Sequence, residues 1–213
     1  MKYKTSHLLL CLFLLIGDRT AFSQGFMNLD FEDAVIVLDP QLPYYPNSTY
    51  PESAVPNWTL YGNFGGMNLM FYNTISLGVA AISIHDSGSF ETPLQGNYSL
   101  VLQPESVTLA PVAIGQTGQV PTDAQLVTFY GESIYNVLTF DGHPINLSAL
   151  TVTPNYTIYG GDISAYAGQA GELRIQGVGR IDNFQFTVPE PTTLSLFGLG
   201  LLGLFCHRRR KHT

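Results

Sequence analysis

Cysteine is missing from most of this chain of 213 residues. The two cysteines, Cys11 and Cys206, lie near the ends, and none lies between residues 24 and 191. This absence excludes a disulfide framework and a thiolate metal site from the central part of the protein. The central part must therefore be stabilised by an ordinary apolar core, which about 165 residues can supply as a single domain.

Positive charge is almost as scarce in the same region. Only Arg174 and Arg180, of nine Lys and Arg in total, lie between residues 24 and 188, where fourteen Asp and Glu give a formal charge of −12. A domain with this charge repels nucleic-acid phosphates and anionic membrane surfaces, so we expect no nucleic-acid partner. It suits an extracellular setting or the binding of divalent cations.

A sustained 3.6-residue apolar period is also lacking. Short runs rich in Val, Ile, Thr, Tyr and Phe recur between clusters of Gly, Pro, Asn and Asp, which predicts an all-β sandwich. In the last run we expect Ile181 and Asn183 on the face opposite Phe184 and Phe186. The predicted strands are residues 34–38, 58–61, 68–71, 80–84, 98–102, 125–130, 134–140, 155–158, 172–176 and 180–187.

The N-terminal segment has the composition of a secretory signal. Lys2 and Lys4 precede an apolar run at residues 8–16, and the segment 21–23 reads Ala-Phe-Ser, a small-x-small cleavage pattern. An uncleaved anchor is the alternative, but this run is well short of the roughly 20 residues that span a bilayer. We therefore expect signal peptidase to remove a signal helix at residues 1–23, which leaves a β-sandwich domain at residues 24–188.

The C-terminal segment, residues 189–213, combines three features in order. Pro189, Glu190 and Pro191 are followed by an uncharged stretch at residues 192–206 and then by a basic cluster. The cluster consists of Arg208, Arg209, Arg210 and Lys211. The arrangement resembles the PEP-CTERM protein-sorting signal of Gram-negative-type bacteria. That resemblance implies recognition of Pro-Glu-Pro by a membrane-embedded exosortase, with export followed by release or attachment at the cell surface, often alongside exopolysaccharide production.

The same tail predicts a membrane topology. Fifteen helical residues at 192–206 would reach roughly 22 Å, which is short of a hydrocarbon core of roughly 30 Å. We expect a short transmembrane helix completed by snorkelling arginines, with its basic end in the cytoplasm and the β-domain outside. A plain single-pass anchor is an alternative, whereas a GPI signal would end in an apolar stretch.

Short motifs in the central region resemble those of galactose-binding-like jelly-roll modules, the architecture of many carbohydrate-binding modules. They are NLDFE at 28–32, PNWT at 56–59, GNYSL at 96–100, AYAG at 165–168 with GELR at 171–174, and IDNF at 181–184. The resemblance implies a jelly-roll sandwich with Trp58 packed inside it. It also implies a structural Ca²⁺ near Glu32 and Asp182, since Ca²⁺ takes six to eight oxygen ligands. Alternatively, the two acids are solvated or hydrogen-bonded at strand ends.

Aromatic residues in the loops are the candidate contacts for a polysaccharide. The candidates are Tyr44, Tyr45, Tyr50 and Tyr61. The alternative interpretation is that these tyrosines line strands or loop bases, because aromatic side chains contribute most to cores by being buried.

The sequence offers little support for catalysis. His85, Ser87 and Ser89 are residue types of a serine protease, but adjacency is not triad geometry, and a turn is the better interpretation. His143 has no second histidine nearby for a zinc site. We expect a non-catalytic surface protein associated with extracellular polysaccharide or envelope matrix. The alternative is a secreted polysaccharide-active enzyme or its accessory module.

Overall fold

The computed structural model describes residues 25–41, 45, 47–62, 69–75, 79–105 and 112–188. The expected signal at residues 1–23, Tyr44, and the tail at residues 189–213 lie outside the described residues. In the part that is described, no helix is long and apolar enough to cross a membrane. The expected C-terminal transmembrane helix thus stays a prediction.

The described residues form an all-β structure with two sheets. The strands are β1 Ser48–Thr49, β2 Thr59–Tyr61, β3 Met70–Tyr72, β4 Ala81–His85, β5 Ser99–Gln103, β6 Ala113–Gln119, β7 Leu126–Gly131, β8 Val137–Phe140, β9 His143–Ile145, β10 Leu147–Val152, β11 Thr157–Asp162, β12 Ala170–Gln176 and β13 Gly179–Thr187. One sheet has eight strands in the order β1-β3-β4-β5-β13-β7-β11-β10, and the other has five in the order β2-β6-β12-β8-β9. Helix α1 spans Pro51–Ala54, and a 3-10 turn spans Ser164–Tyr166.

The two sheets enclose one apolar core, which makes the structure a sandwich. Phe129 and Phe184 of the eight-stranded sheet share this core with Leu138 and Leu173 of the five-stranded sheet. Trp58 is 6% exposed, lies 5.7 Å from Phe184 between ring centroids, and donates its indole N–H to the carbonyl of Asn28 at 2.9 Å. The expectation that Trp58 packs inside the sandwich is therefore confirmed.

One predicted strand is absent from the structure, and four observed strands, β1, β6, β9 and β10, were not predicted. Residues 34–38 are not a strand, because Leu38 forms only an isolated bridge with Thr49. Conversely, β6 is a central strand that the sequence pattern does not indicate. Its sequence AIGQTGQ contains Gly115 and Gly118, which lower strand propensity but leave space for neighbouring side chains.

The expected alternation along the last strand is wrong. Ile181 and Phe184 are both buried in the core, although they were expected on opposite faces. The register with β7 shifts between Asp182 and Gln185, and Asn183 has a φ of 49°. This β-bulge places one extra residue on β13 and reverses the facing of the residues that follow it.

Both described termini lie at the same end of the sandwich. The loop at residues 120–125 joins β6 to β7 at one end, and the loop at residues 132–136 joins β7 to β8 at the other. Gly25 bridges Gln119, the last residue of β6, and Thr187 pairs with Leu126, the first residue of β7. We call this end the exit end and the opposite one the far end.

Candidate functional site

Glu32 binds the loop that leads into β5. It belongs to a tight turn in which Asn28 and Phe31 have φ values of 47° and 59°. One carboxylate oxygen of Glu32 accepts the backbone N–H of Asn97 at 2.7 Å and that of Tyr98 at 3.1 Å. Its other oxygen accepts the side-chain amide of Asn97 at 2.7 Å. Glu32 therefore fixes this loop through three hydrogen bonds.

Asp182 binds the same loop from inside the protein. Its side chain is fully buried and accepts the hydroxyl of Ser99 at 2.6 Å, the N–H of Gln95 at 3.0 Å and the N–H of Asn183 at 2.7 Å. The pKa of Asp182 is raised to about 7, chiefly by burial; the negative charge of Glu32 also raises it, while the three hydrogen bonds favour the charged form and oppose the shift. The structure thus brings the two acids predicted from sequence to one loop.

The donor set at this loop is incomplete for a metal ion. Both oxygens of Glu32 and both of Asp182 already accept hydrogen bonds. Among the described residues, no group of three or more His, Cys, Asp or Glu is placed to hold a metal. A calcium ion would need most of its six to eight oxygens from backbone carbonyls or water. The buried carboxylate of Asp182, whose pKa is raised, is the feature that a cation would stabilise.

A second polar cluster lies on the outer face of the five-stranded sheet. The hydroxyl of Tyr61 in β2 donates a hydrogen bond to the carboxylate of Glu172 in β12. The guanidinium carbon of Arg174 lies 3.9 Å from the centroid of the Tyr61 ring, in cation–π geometry. The pKa of the Tyr61 hydroxyl is raised, chiefly by its hydrogen bond to Glu172. We call Tyr61, Glu172 and Arg174 the tyrosine cluster.

The tyrosine cluster forms across a strand that has no side chain at the crossing point. Strand β6 lies between β2 and β12, and its Gly115 pairs with both Thr59 and Arg174. A Cβ atom on Gly115 would lie 2.7 Å from a Glu172 carboxylate oxygen and 3.1 Å from the Tyr61 ring. The glycine therefore permits the contact between Tyr61 and Glu172.

The sequence identified Tyr61 as a glycan candidate but did not connect it with Glu172 or Arg174. One signal was available for Arg174, since it is one of only two basic residues between residues 24 and 188. No sequence pattern indicates Glu172, because fourteen acids are scattered through that region. Its role depends on the pairing of β2, β6 and β12.

The structure does not bring Tyr45 or Tyr50 to this face. Tyr45 packs edge-on against Phe71 with ring centroids 6.1 Å apart. The hydroxyl of Tyr50 donates to Asp39 at 3.0 Å next to α1. Both flank β1, at the edge of the eight-stranded sheet, whereas Tyr61 belongs to the other sheet.

His85 is buried between two serines. Its Nδ1 lies 2.6 Å from the Ser89 hydroxyl, and its Nε2 lies 2.9 Å from the Ser83 hydroxyl. The pKa of His85 is lowered to about 4, chiefly by burial and in part by the positive charge of Arg180. The carboxylate of the neighbouring Asp86 accepts hydrogen bonds from the Tyr72 hydroxyl and the Asn73 side-chain amide. His85 thus contacts a serine on each side, whereas a catalytic triad requires a carboxylate at one ring nitrogen.

One comparison with known protein families identifies the function of the tail. Residues 187–210 match the PEP-CTERM protein-sorting motif. The match includes Pro189, Glu190, Pro191 and the first three residues of the basic cluster. No curated protein and no solved structure matches the chain significantly.

The PEP-CTERM motif indicates where the protein is sent. Domains of this type are recognised by exosortase, a membrane processing enzyme, and the motif indicates an exported protein that is sorted to the cell envelope. The motif begins where the β-sandwich ends, since Thr187 is both the last residue of β13 and the first residue of the match.

Proposed function

We propose that this exported protein is a non-catalytic β-sandwich that binds polysaccharide at the cell surface through the tyrosine cluster. The observation that carries the proposal is the PEP-CTERM motif, which directs the chain to the envelope, where polysaccharide is an abundant polymer. The cluster supplies the binding chemistry on an open sheet face.

The strand connectivity supports a jelly-roll, galactose-binding-like architecture for this domain. From β6 onward the chain alternates between sheets: β6 lies in the five-stranded sheet, β7 in the eight-stranded, β8 and β9 in the five-stranded, and β10 and β11 in the eight-stranded. β12 and β13 continue the alternation. Repeated crossing between two antiparallel sheets is the arrangement found in jelly rolls.

The chemistry of the tyrosine cluster suits a neutral sugar chain. Planar groups such as Tyr61 and the Arg174 guanidinium pack against the C–H faces of sugar rings, while hydroxyl groups bond to Glu172 and Arg174. The domain carries a formal charge of −12 between residues 24 and 188, which repels strongly anionic polymers at long range. We therefore expect neutral polysaccharides to bind in preference to acidic ones.

The binding test compares the wild-type domain, residues 24–188, with Tyr61→Ala and Arg174→Gln on a glycan array that includes polysaccharide from the native cell. Each substitution should weaken binding about tenfold or more, as expected for loss of a central aromatic or arginine contact. Tyr135→Ala is the matched control, because Tyr135 is 67% exposed and lies at the far end. If no polysaccharide is retained, the binding proposal is wrong.

Hydrolysis of a retained glycan would instead favour the alternative, a secreted polysaccharide-active enzyme or its accessory module. The test uses the same array and scores released oligosaccharides. Loss of hydrolysis on changing a single acid to its amide would establish catalysis. The environment of His85, with a serine at each ring nitrogen, supports a structural role for that residue.

A structural calcium ion at Glu32 and Asp182 forms a separate part of the proposal. The two carboxylates meet one loop, and a cation would compensate the cost of burying the Asp182 charge. Calcium should raise the melting temperature of the wild type, but not that of Asp182→Asn, relative to EDTA. An equal response of both proteins would mean that the carboxylates act only as hydrogen-bond acceptors for the loop.

A further inference from the structure

The sorting motif begins almost directly at the folded domain. Strand β13 stays paired through Thr187, which is opposite Leu126 in β7, and Pro189 is only two residues later. Since consecutive Cα atoms are 3.8 Å apart, the Cα of Pro189 lies within about 7.6 Å of the Cα of Thr187. Val188 alone separates the paired strand from the Pro-Glu-Pro.

Hydrogen bonds fix the point at which the tail leaves the domain. The N–H of Gln125 donates to the carbonyl of Thr187 at 2.9 Å, and the N–H of Ile163 donates to the carbonyl of Gln125 at 3.0 Å. Phe186 stacks on Phe26 with ring centroids 5.3 Å apart. At this end β13 is also paired with β7, where Gln185 and Phe186 lie opposite Thr128 and Val127. Release of the strand end would break these contacts, so we expect it to stay in place.

An enzyme that binds residues 189–191 must therefore also contact the folded domain. We infer that the exit end of the sandwich docks on the extracytoplasmic face of the exosortase while the Pro-Glu-Pro is bound. The inference rests on the proposed sorting of this chain and extends it to a surface outside the motif. The exit surface consists of the exposed residues Thr122, Asp123, Gln125, Asp162, Ser164 and Thr187.

The charge of the exit surface favours a protein partner over the lipid surface. Asp123 and Asp162 are exposed there, and hydrogen bonds from Ser164 lower the pKa of Asp162, which keeps it charged at neutral pH. The basic residues of the domain lie elsewhere: Arg174 is within β12, and Arg180 is at the far-end start of β13. Anionic lipid headgroups would repel this surface, whereas basic or hydrogen-bond-donating groups on the enzyme would complement it.

The test follows processing of the full-length chain in its native cells by pulse–chase, with the new C-terminus identified by mass spectrometry. Asp123→Arg changes the exit surface, and Glu105→Arg makes the same charge change at the exposed far end. A third variant carries ten Gly and Ser residues inserted between Val188 and Pro189, which removes the enforced contact. Phe26→Ala is the fourth, because it loosens the end of β13.

Docking predicts that Asp123→Arg and the insertion each slow processing about tenfold, as for loss of an important interface contact, while Glu105→Arg is processed at the wild-type rate. Processing of both Asp123→Arg and the insertion variant at the wild-type rate or faster would overturn the inference. Faster processing of Phe26→Ala would also overturn it, because the strand end would then have to open. If the wild-type chain itself is never processed, the proposed sorting fails, and this inference with it.

Discussion

A single buried carboxylate links the stability of this domain to pH. The pKa of Asp182 is raised from 3.8 to about 7, so the folded state holds its proton more tightly than the unfolded state does. The contribution to stability is full below pH about 4 and is lost as the pH rises through about 7. At about 1.4 kcal/mol per pKa unit, the loss is at most about 4 kcal/mol.

The amide variant Asp182→Asn should remove this dependence. His85 acts in the opposite direction, because its pKa is lowered to about 4, so its contribution is lost as the pH falls from about 6.5 toward 4. Both proteins keep His85, and the difference between their free energies of unfolding therefore isolates Asp182. Measured by denaturant titration in EDTA, the wild type should lose stability relative to Asp182→Asn as the pH rises from about 4 to about 7.

Asp123→Asn, which changes an exposed acid, serves as the control. Its free energy of unfolding should depend on pH as that of the wild type does. A difference between wild type and Asp182→Asn that does not change with pH would contradict the assigned pKa.

Gly96 is required for the contact between Glu32 and its loop. Its φ is 62°, and a Cβ atom there would lie 2.1 Å from the Glu32 carboxylate. Gly96→Ala should therefore destabilise the domain by roughly 2 kcal/mol or more, as strain at a positive φ is combined with a lost contact. Gly142→Ala is a matched control, because Gly142 has a φ of 77° with nothing within 4 Å of its Cβ position.

The comparison of the two glycine variants is made by urea unfolding. The control should lose only the backbone cost of roughly 1 kcal/mol. Equal losses in both variants would show that the Glu32 contact adds nothing to stability.

At the scale of single strands, the sequence predicts where a strand lies better than it predicts which face of the sheet each side chain occupies. Tyr98, Leu100 and Leu102 share one face as expected, and Leu100 and Leu102 are fully buried. The alternation fails in β13, because one bulged residue at Asn183 depends on pairing with β7. β6 is missed for a related reason. Its glycines leave space for side chains of neighbouring strands, and local sequence does not show which strands will be neighbours.

The candidate sites show the same limit. Glu32 and Asp182 could be paired from sequence only through the family resemblance, since 150 positions separate them in the chain. Tyr61 could be named as an aromatic candidate, but its contacts with Glu172 and Arg174 are set by the order β2-β6-β12. Sheet order follows from long-range packing and not from local propensity.

Strand β6 offers an element-scale test of the tyrosine cluster. Gly115→Val raises the strand propensity of β6 but places a side chain between Tyr61 and Glu172. We expect the domain to stay folded, as shown by its circular dichroism spectrum, while glycan binding weakens about tenfold. Thr151→Val is the control, because Thr151 is exposed on β10 in the other sheet. Undiminished binding by Gly115→Val would remove the cluster from the proposed site.

At the scale of the whole molecule, both described termini and the start of the sorting motif lie at the exit end. A chain held at the membrane by its tail would therefore present the far end outward. The exposed residues Ile134 and Tyr135 lie at that end, in the loop between β7 and β8. The exit surface would face the membrane and its processing enzyme.

The absence of cysteine from the domain makes this orientation measurable. In a full-length chain with Cys11→Ala and Cys206→Ser, a single cysteine is introduced at the exit end as Thr122→Cys or at the far end as Asn155→Cys, both exposed positions. A bulky, membrane-impermeant maleimide should label the far-end cysteine several-fold faster in the membrane-held precursor, because the exit end is covered. In the isolated domain, residues 24–188, both cysteines are uncovered and should react at similar rates. Equal labelling in the precursor as well would mean that the domain tumbles freely on its tail, which a separation of one residue between Thr187 and Pro189 should not allow.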